Sequence, residues 1–223
     1  MTRPCMIFAA GFGTRMGELT RDTPKPLIRV AGMPLIDRAA GLARDAGAAP
    51  LVANTHYLAH RIEPHLRDLD IRVSAEPDAI LDTGGGLRQA LPLLGGTEVF
   101  TLNPDALFAG PNPLKTLDAA WRPGMGALLL CVPLDRARGR KGGVDFGLRD
   151  GRLHRGGDLV YTGVQIIDTG LLDSVPDPVF SLNRIWFDLA DRDALHGIIY
   201  DGSWADIGHP DGIAIAEDML ADV

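Results

Sequence analysis

The feature that most restricts the fold is a rhythm in the first 103 residues, where short apolar runs alternate with segments of helical periodicity. The run 5–10, CMIFAA, is expected to be a buried strand. Residues 33–46 place Leu35, Ala39, Leu42 and Ala46 on one stripe and Asp37, Arg38, Arg44 and Asp45 opposite, the spacing of an amphipathic helix. Further strands are expected at 50–54, 70–76 and 98–103, with helices from about His56 to Arg67 and from Gly84 to about Leu93. Strand, helix, strand in this order argues for a parallel sheet with right-handed crossovers.

The pattern changes near residue 125. Residues 125–132 read as a strong strand, and the glycine-punctuated stretch through 160–168 reads as hairpins rather than further crossovers. A helix over 181–195 is expected, capped by Ser181, with Leu182, Ile185, Trp186 and Leu189 inward. Strands at 196–200 and 202–207 and a closing helix at 209–220, with Pro210 at its start, complete the chain. The expected class is α/β: a Rossmann-like, mostly parallel sheet flanked by helices, with a small antiparallel insertion in the second half. One domain over 1–223 is expected, without a linker.

Composition narrows the partners. A formal charge of −7 over 223 residues disfavours a nucleic-acid backbone. No apolar stretch approaches the ~20 residues that span a bilayer, and the six-residue run near the N-terminus is too short for a secretory core. A cytoplasmic protein with no membrane partner is expected. Cys5 and Cys131 both lie in apolar runs with no CxxC pattern, so buried free thiols are expected rather than a metal or redox pair.

Directly after the first strand the chain spends residues 11–27, GFGTRMGELTRDTPKPL, on glycine, proline and cations. Glycines between a strand and a helix present backbone N–H groups at close range, which suits phosphate oxygens. The spacing fits neither common version. The dinucleotide fingerprint requires a glycine where Met16 stands, and the P-loop requires Gly-Lys where Gly17 is followed by Glu18.

Gly11, Gly13, Thr14, Arg15 and Met16, followed by Thr23, Pro24, Lys25, Pro26 and Leu27, resemble the signature of the sugar-1-phosphate nucleotidyltransferases in both halves and in their separation. The resemblance implies that Ala10, Gly11, Gly13 and Thr14 wrap a nucleoside triphosphate. It also implies that Arg15 holds the leaving pyrophosphate and that Lys25 neutralises the α-phosphate and the incoming sugar phosphate. The family carries one acid after its corresponding strand and a second in W-x-D-x-G-x-P. Asp105 in NPD and Asp206 in WADIGHP occupy those settings, which implies a Mg²⁺-binding pair with Asp105 also catalytic. Pro104 replaces a usual glycine, removing one N–H, and His209 stands where a small polar residue is common.

The stretch 81–87, LDTGGGL, is similar to the family segment that passes over the nucleobase, so Thr83, Gly84 and Gly85 are expected at the nucleotide. Its three glycines, together with 141–148, 161–168 and 180–189, most resemble the subgroup of uridylyltransferases acting on N-acetylmuramate 1-phosphate. Asn103, Asp145 and Gly163 are placed near the sugar by that likeness; a capping role for Asn103 and a hairpin turn at Asp145 are the alternative readings. The implied reaction is attack of a sugar-phosphate oxygen on the α-phosphorus of a nucleoside triphosphate, with pyrophosphate leaving. Mannose-1-phosphate guanylyltransferases and phosphocholine-type cytidylyltransferases share nearly the same opening motif. Non-catalytic sensing relatives are distinguished by loss of one of the four charged positions, all present here. His56, His60 and His65 lack the Glu of H-E-x-x-H and are expected on a wet helix face.

Overall fold

The computed structural model describes residues 2–222. The first half runs β1 (Cys5–Ile7), β2 (Arg29–Val30), β3 (Met33–Pro34), α1 (Leu35–Asp45), β4 (Leu51–Thr55), α2 (Ala59–Asp68), β5 (Arg72–Ala75), α3 (Asp82–Leu94) and β6 (Glu98–Leu102). The chain continues with β7 (Ala106–Ala109), α4 (Pro113–Ala120), β8 (Ala127–Pro133), β9 (Ala137–Arg138), β10 (Phe146–Arg149), β11 (Arg152–Arg155) and β12 (Leu159–Asp168). It closes with α5 (Asn183–Asp191), β13 (His196–Ile199), β14 (Ser203–Asp206) and α6 (Asp211–Ala221).

The fold is α/β. Nine strands form one mixed sheet in the order β10-β11-β13-β8-β12-β6-β1-β4-β5. The β6-β1-β4-β5 half is parallel, as the alternation of strands and helices requires. β12 enters antiparallel between β6 and β8, and β10 and β11 form an antiparallel hairpin. Successive side chains of a strand point to opposite faces, and β1 shows the result. Cys5 and Ile7 join a cluster with Ile36, Ile62 and Leu114 on one face, while Met6 joins Leu87, Ile185 and Trp186 on the other. A smaller sheet, β7-β14-β9, packs under α6 around Leu107, Ala205, Ile207, Ala216 and Met219.

Several expectations change in detail. The first strand stops at Ile7, so Ala9 and Ala10 belong to the loop beyond it. The 160–168 segment is part of a ten-residue strand in the middle of the sheet, not a hairpin; its partners β6 and β8 are remote in sequence and supply the pairing. The helix expected over 181–195 covers only Asn183–Asp191, although Leu182, Ile185, Trp186 and Leu189 are buried as expected and the Ser181 hydroxyl accepts from the Asn183 N–H at 3.3 Å. α1 buries Leu35, Ile36, Ala39, Ala40 and Ala43, so its inward stripe is rotated from the expected one. β7 and α4 were not anticipated.

Register brings one edge of the sheet together. Ile7 lies opposite Leu102 and Ala53, and Thr55 lies opposite Ala75, so β1, β4, β5 and β6 all end side by side. Ligands of open α/β sheets bind outside these carboxyl ends. Across the small sheet, Asp206 stands opposite Ala106, and the Ile207 N–H donates to the Asp105 carbonyl at 3.0 Å.

Candidate active site

A cleft of about 380 Å³ opens at that carboxyl edge. Ala10, Gly11, Gly13, Thr14, Arg15, Lys25, Thr83, Asn103, Pro104 and Asp105 all line it. The glycine segment is held from beneath. Met16 is 1% exposed in the cluster that includes Ile28, Leu107 and Ile207, which leaves its neighbour Arg15 facing outward. Gly13 has φ +64, and a Cβ there would sit 3.0 Å from both the Lys25 Cβ and the Thr20 methyl. A side chain at that position would therefore be strained and would crowd Lys25 as well.

The charged groups converge on the same place. The Lys25 ammonium is bonded to the Asp105 carboxylate. Gly208 lies between Arg15 and Asp206; a Cβ there would be 3.1 Å from Arg15 Nη1 and 3.2 Å from Asp206 Oδ2. Burial pushes the Asp206 carboxyl above its ordinary pKa, and the Asp105 charge adds to the rise, with Lys25, Arg140 and Arg15 opposing it. Two neighbouring carboxylates form a hard-oxygen donor pair that leaves positions for water and phosphate oxygens. Among the described residues there is no cluster of three or more His, Cys, Asp or Glu side chains able to hold a metal.

The other expected positions divide. Gly163, at φ +87, passes against Asn103, whose N–H donates to the Gly163 carbonyl at 2.9 Å. Asp145 is tied down: Arg140 Nη2 approaches its two oxygens at 3.1 and 3.4 Å, and the Tyr161 N–H donates to Oδ2 at 2.9 Å. Thr83 faces the cleft while its hydroxyl accepts from the Leu182 N–H at 3.0 Å.

Gly84 and Gly85 require a correction. Both of their N–H groups donate to the Phe180 carbonyl, at 2.9 and 3.1 Å, so these donors do not read a base edge. A Cβ at Gly84 would meet the Phe180 ring at 2.2 Å, and one at Gly85 the Pro178 carbonyl oxygen at 2.4 Å. These glycines are required by packing of α3 against the 178–180 segment.

Pro104 is buried between Asn103 and Asp105, and His209 accepts through its carbonyl from the Gly212 N–H at 3.0 Å, entering α6. His56 Nδ1 lies 2.6 Å from the Glu76 carbonyl, His65 pairs with Asp37 at 2.5 Å, and His60 is exposed, so the three do not converge. Cys5 and Cys131 are free and buried, and burial raises both thiol pKa values.

Three polar residues were not singled out from the sequence. Asn54 lines the cleft, Glu76 is buried beside it, and the Arg140 charge acts on Asp206. A polar residue at the carboxyl end of a buried parallel strand was the available signal for the first two.

Comparison with known proteins identifies the family. The model of the MobA-like NTP transferase domain matches residues 5–191. The N-acetylmuramate alpha-1-phosphate uridylyltransferase of Caulobacter vibrioides is 36% identical over 234 residues, covering 97% of this chain and 96% of that protein. A protein of the same description from Neisseria meningitidis serogroup B is 46% identical over 107 residues, 46% of each chain. The inositol-1-phosphate CTP transferase from T. maritima superposes with a TM-score of 0.80 at 17% identity, over 100% of this chain and 98% of that one, which shows a shared fold. A family match across most of the chain, joined to a relative aligned over nearly its whole length, establishes that this chain belongs to the MobA-like NTP transferase family and is a nucleotidyltransferase.

Proposed function

We propose that the protein joins UTP to N-acetylmuramate 1-phosphate, giving the nucleotide-sugar and pyrophosphate. The observation that carries the transfer chemistry is the meeting of Asp105 and Asp206 beside Lys25 and Arg15 at the mouth of a glycine-lined cleft. The choice of base and sugar rests on the likeness to the Caulobacter vibrioides enzyme over nearly the full length of both chains.

A sugar-phosphate oxygen attacks the α-phosphorus, a new P–O bond forms, and the α–β anhydride bond breaks with its electrons leaving on pyrophosphate. The nucleophile is already an anion, so no side chain has to remove a proton. The protein's task is to hold two repelling anions in line and offset their charge. Ala10, Gly11, Gly13 and Thr14 cradle the triphosphate. Arg15 takes the departing pyrophosphate. Lys25 exchanges its bond to Asp105 for phosphate oxygens. Thr83 borders the nucleotide, and Asn103, Asp145 and Gly163 shape the sugar side, with Asp145 acting through Arg140 and the Tyr161 backbone.

Asp105 and Asp206 would hold Mg²⁺, whose contribution when bound is to neutralise phosphate charge. Residues 1–125 serve mainly the nucleotide and 126–223 mainly the sugar and the second acid, within one domain. Among the described residues no helix is long and apolar enough to cross a membrane. We assign the reaction to the cytoplasm, a compartment in which free thiols such as Cys5 and Cys131 persist.

The test is pyrophosphate release with Mg²⁺, crossing the four nucleoside triphosphates with N-acetylmuramate, N-acetylglucosamine, glucose and mannose 1-phosphates and phosphocholine. Highest kcat/KM for UTP with N-acetylmuramate 1-phosphate is expected. A faster different pair would replace the substrate assignment, and no release with any pair would overturn the reading.

A further inference from the structure

Glu76 stands at the end of β5, is 2% exposed, and has no part in the transfer chemistry. Both of its oxygens accept from donors on different walls of the cleft. Oε1 accepts from Asn54 Nδ2 at 2.7 Å, and Oε2 accepts from the Leu81 N–H at 2.8 Å. Asn54 in turn accepts, through Oδ1, from the Ala9 N–H at 2.8 Å. An unbroken chain of hydrogen bonds thus runs from the loop after β1 to the residue before α3. Ala9, Ala10, Asn54, Asp82 and Thr83 line the cleft along its course.

The surroundings are built to that carboxylate. A Cβ at Gly86 would sit 2.7 Å from Glu76 Oε1 and 2.9 Å from Asn54 Nδ2, so the third glycine of the triplet leaves room for this pair. The backbone of Glu76 is fixed as well, with its N–H donating to the Thr55 carbonyl at 2.8 Å and its carbonyl 2.6 Å from His56 Nδ1. A buried polar network in which each of these nitrogen and oxygen atoms has a partner over-determines the position of its members.

We infer that Glu76, acting through Asn54, is a positioning residue that sets the separation of the two walls between which the nucleotide lies. This rests on the reading of the cleft as a nucleoside triphosphate site. The polarity of the relay is fixed, because Glu76 only accepts, while Asn54 donates to Glu76 and accepts from Ala9. Glu76→Gln places an amide NH₂ where only acceptors serve, and in every arrangement one N–H then faces another. Asn54→Asp sets two carboxylates against each other. The double variant satisfies all the bonds with the charge moved one place: the new carboxylate at 54 accepts from Ala9 and from the new amide at 76, whose oxygen accepts from Leu81.

The experiment compares the wild type, both single variants and the double variant. Amide hydrogen exchange at Ala9 and Leu81 is followed in ligand-free protein, and KM for UTP, KM for the sugar phosphate and kcat are measured with the substrate pair that the wild type turns over. Each single variant is expected to speed exchange at both amides and to raise KM for UTP about tenfold, the effect of one buried unsatisfied donor or acceptor. Sugar-phosphate KM and kcat should stay within about threefold, and the double variant should return UTP KM and both exchange rates toward wild type. Loss of Tm with UTP KM unchanged would make Glu76 merely structural and overturn the inference, as would a double variant no better than its parents. If a single variant is too unstable to purify, recovery of fold and UTP KM in the double supports the relay, and failure to recover refutes it. A wild type that binds no nucleotide sinks the reading of the cleft instead, which the exchange data identify separately from a failure of the relay.

Discussion

Lys25 and Asp105 are bonded to one another before either meets a phosphate, while Asp206, among the described residues, has no comparable direct partner and is half-buried beside a like charge. That difference makes the two acids separable by experiment. Asp206→Asn removes a charge whose burial and proximity to Asp105 disfavour the metal-free fold. The variant should unfold at a higher temperature than the wild type in EDTA, yet lose roughly 10²-fold or more in kcat, the scale of one lost electrostatic element. Thermal scans with chelator and a steady-state assay with Mg²⁺ give both numbers. A lower Tm together with near-normal kcat would remove Asp206 from the acid pair. Function that costs stability is a familiar pattern at active sites.

Among the elements, α3 shows what was legible in the sequence and what was not. Arg15, Lys25, Asp105 and Asp206 were singled out by the resemblance of 11–27, NPD and WADIGHP to the motifs of the nucleotidyltransferases. The triplet 84–86 was also conspicuous, but glycine serves both backbone exposure and close packing, and only the tertiary neighbours Phe180, Pro178, Glu76 and Asn54 decide between them. Glu76 and Asn54 are single polar residues at strand ends; the strand pattern puts them at the carboxyl edge of the sheet but does not tell a buried relay from a pair of turn residues. α4 did carry a start signal, since Asn112 accepts from the Leu114 and Lys115 N–H groups and Pro113 occupies the first turn. β12 could not be placed, because both of its central partners are distant in sequence.

Two alanine substitutions check this account of the glycines. Gly84→Ala forces a methyl toward the Phe180 ring and should cost about 1–3 kcal/mol. Gly41→Ala, in α1 with nothing within 4 Å of the new Cβ, should gain up to about 1 kcal/mol from helix propensity. Urea unfolding of both measures the contrast, and equal effects would refute the packing explanation.

At the sheet edge, Arg152 and His196 face each other across β11 and β13, with their side chains in contact. Burial, then the Arg152 charge, lowers the His196 pKa, with backbone carbonyls of Ala194 and Ala127 opposing. A histidine depressed in the fold gives stability that is full above its unfolded pKa, about 6.5, and lost as pH falls toward the folded value. Wild-type Tm should therefore decline more steeply than that of His196→Gln below about pH 6.5. Parallel curves from pH 8 to 5 would contradict the pairing.

At the scale of the whole molecule, the order in which the strands lie differs from the order in which they are made. β12 comes from the second half yet sits between β6 and β8, pairing with β6 from Val164 to Asp168 and covering the edge that the first half would otherwise leave open. The two faces of the sheet are shared in the same way. Leu87 and Leu94 of α3 bury themselves against Ile167, Ile185 and Trp186, and Leu114 and Trp121 pack in one cluster with Val160 and Ile166. A piece ending at residue 125 would expose a long β6 edge and lose much of the apolar cover on both faces, which conformational entropy would then outweigh. Residues 1–125 expressed alone should lack a cooperative transition and give collapsed amide dispersion. The intact chain should unfold in urea with one midpoint whether followed by circular dichroism or by fluorescence of Trp121, Trp186 and Trp204, which sample both faces. Two resolved transitions, or a folded 1–125 piece, would show that the nucleotide side is an autonomous unit onto which the sugar side is docked, and the acid pair would then bridge two bodies rather than two loops of one sheet.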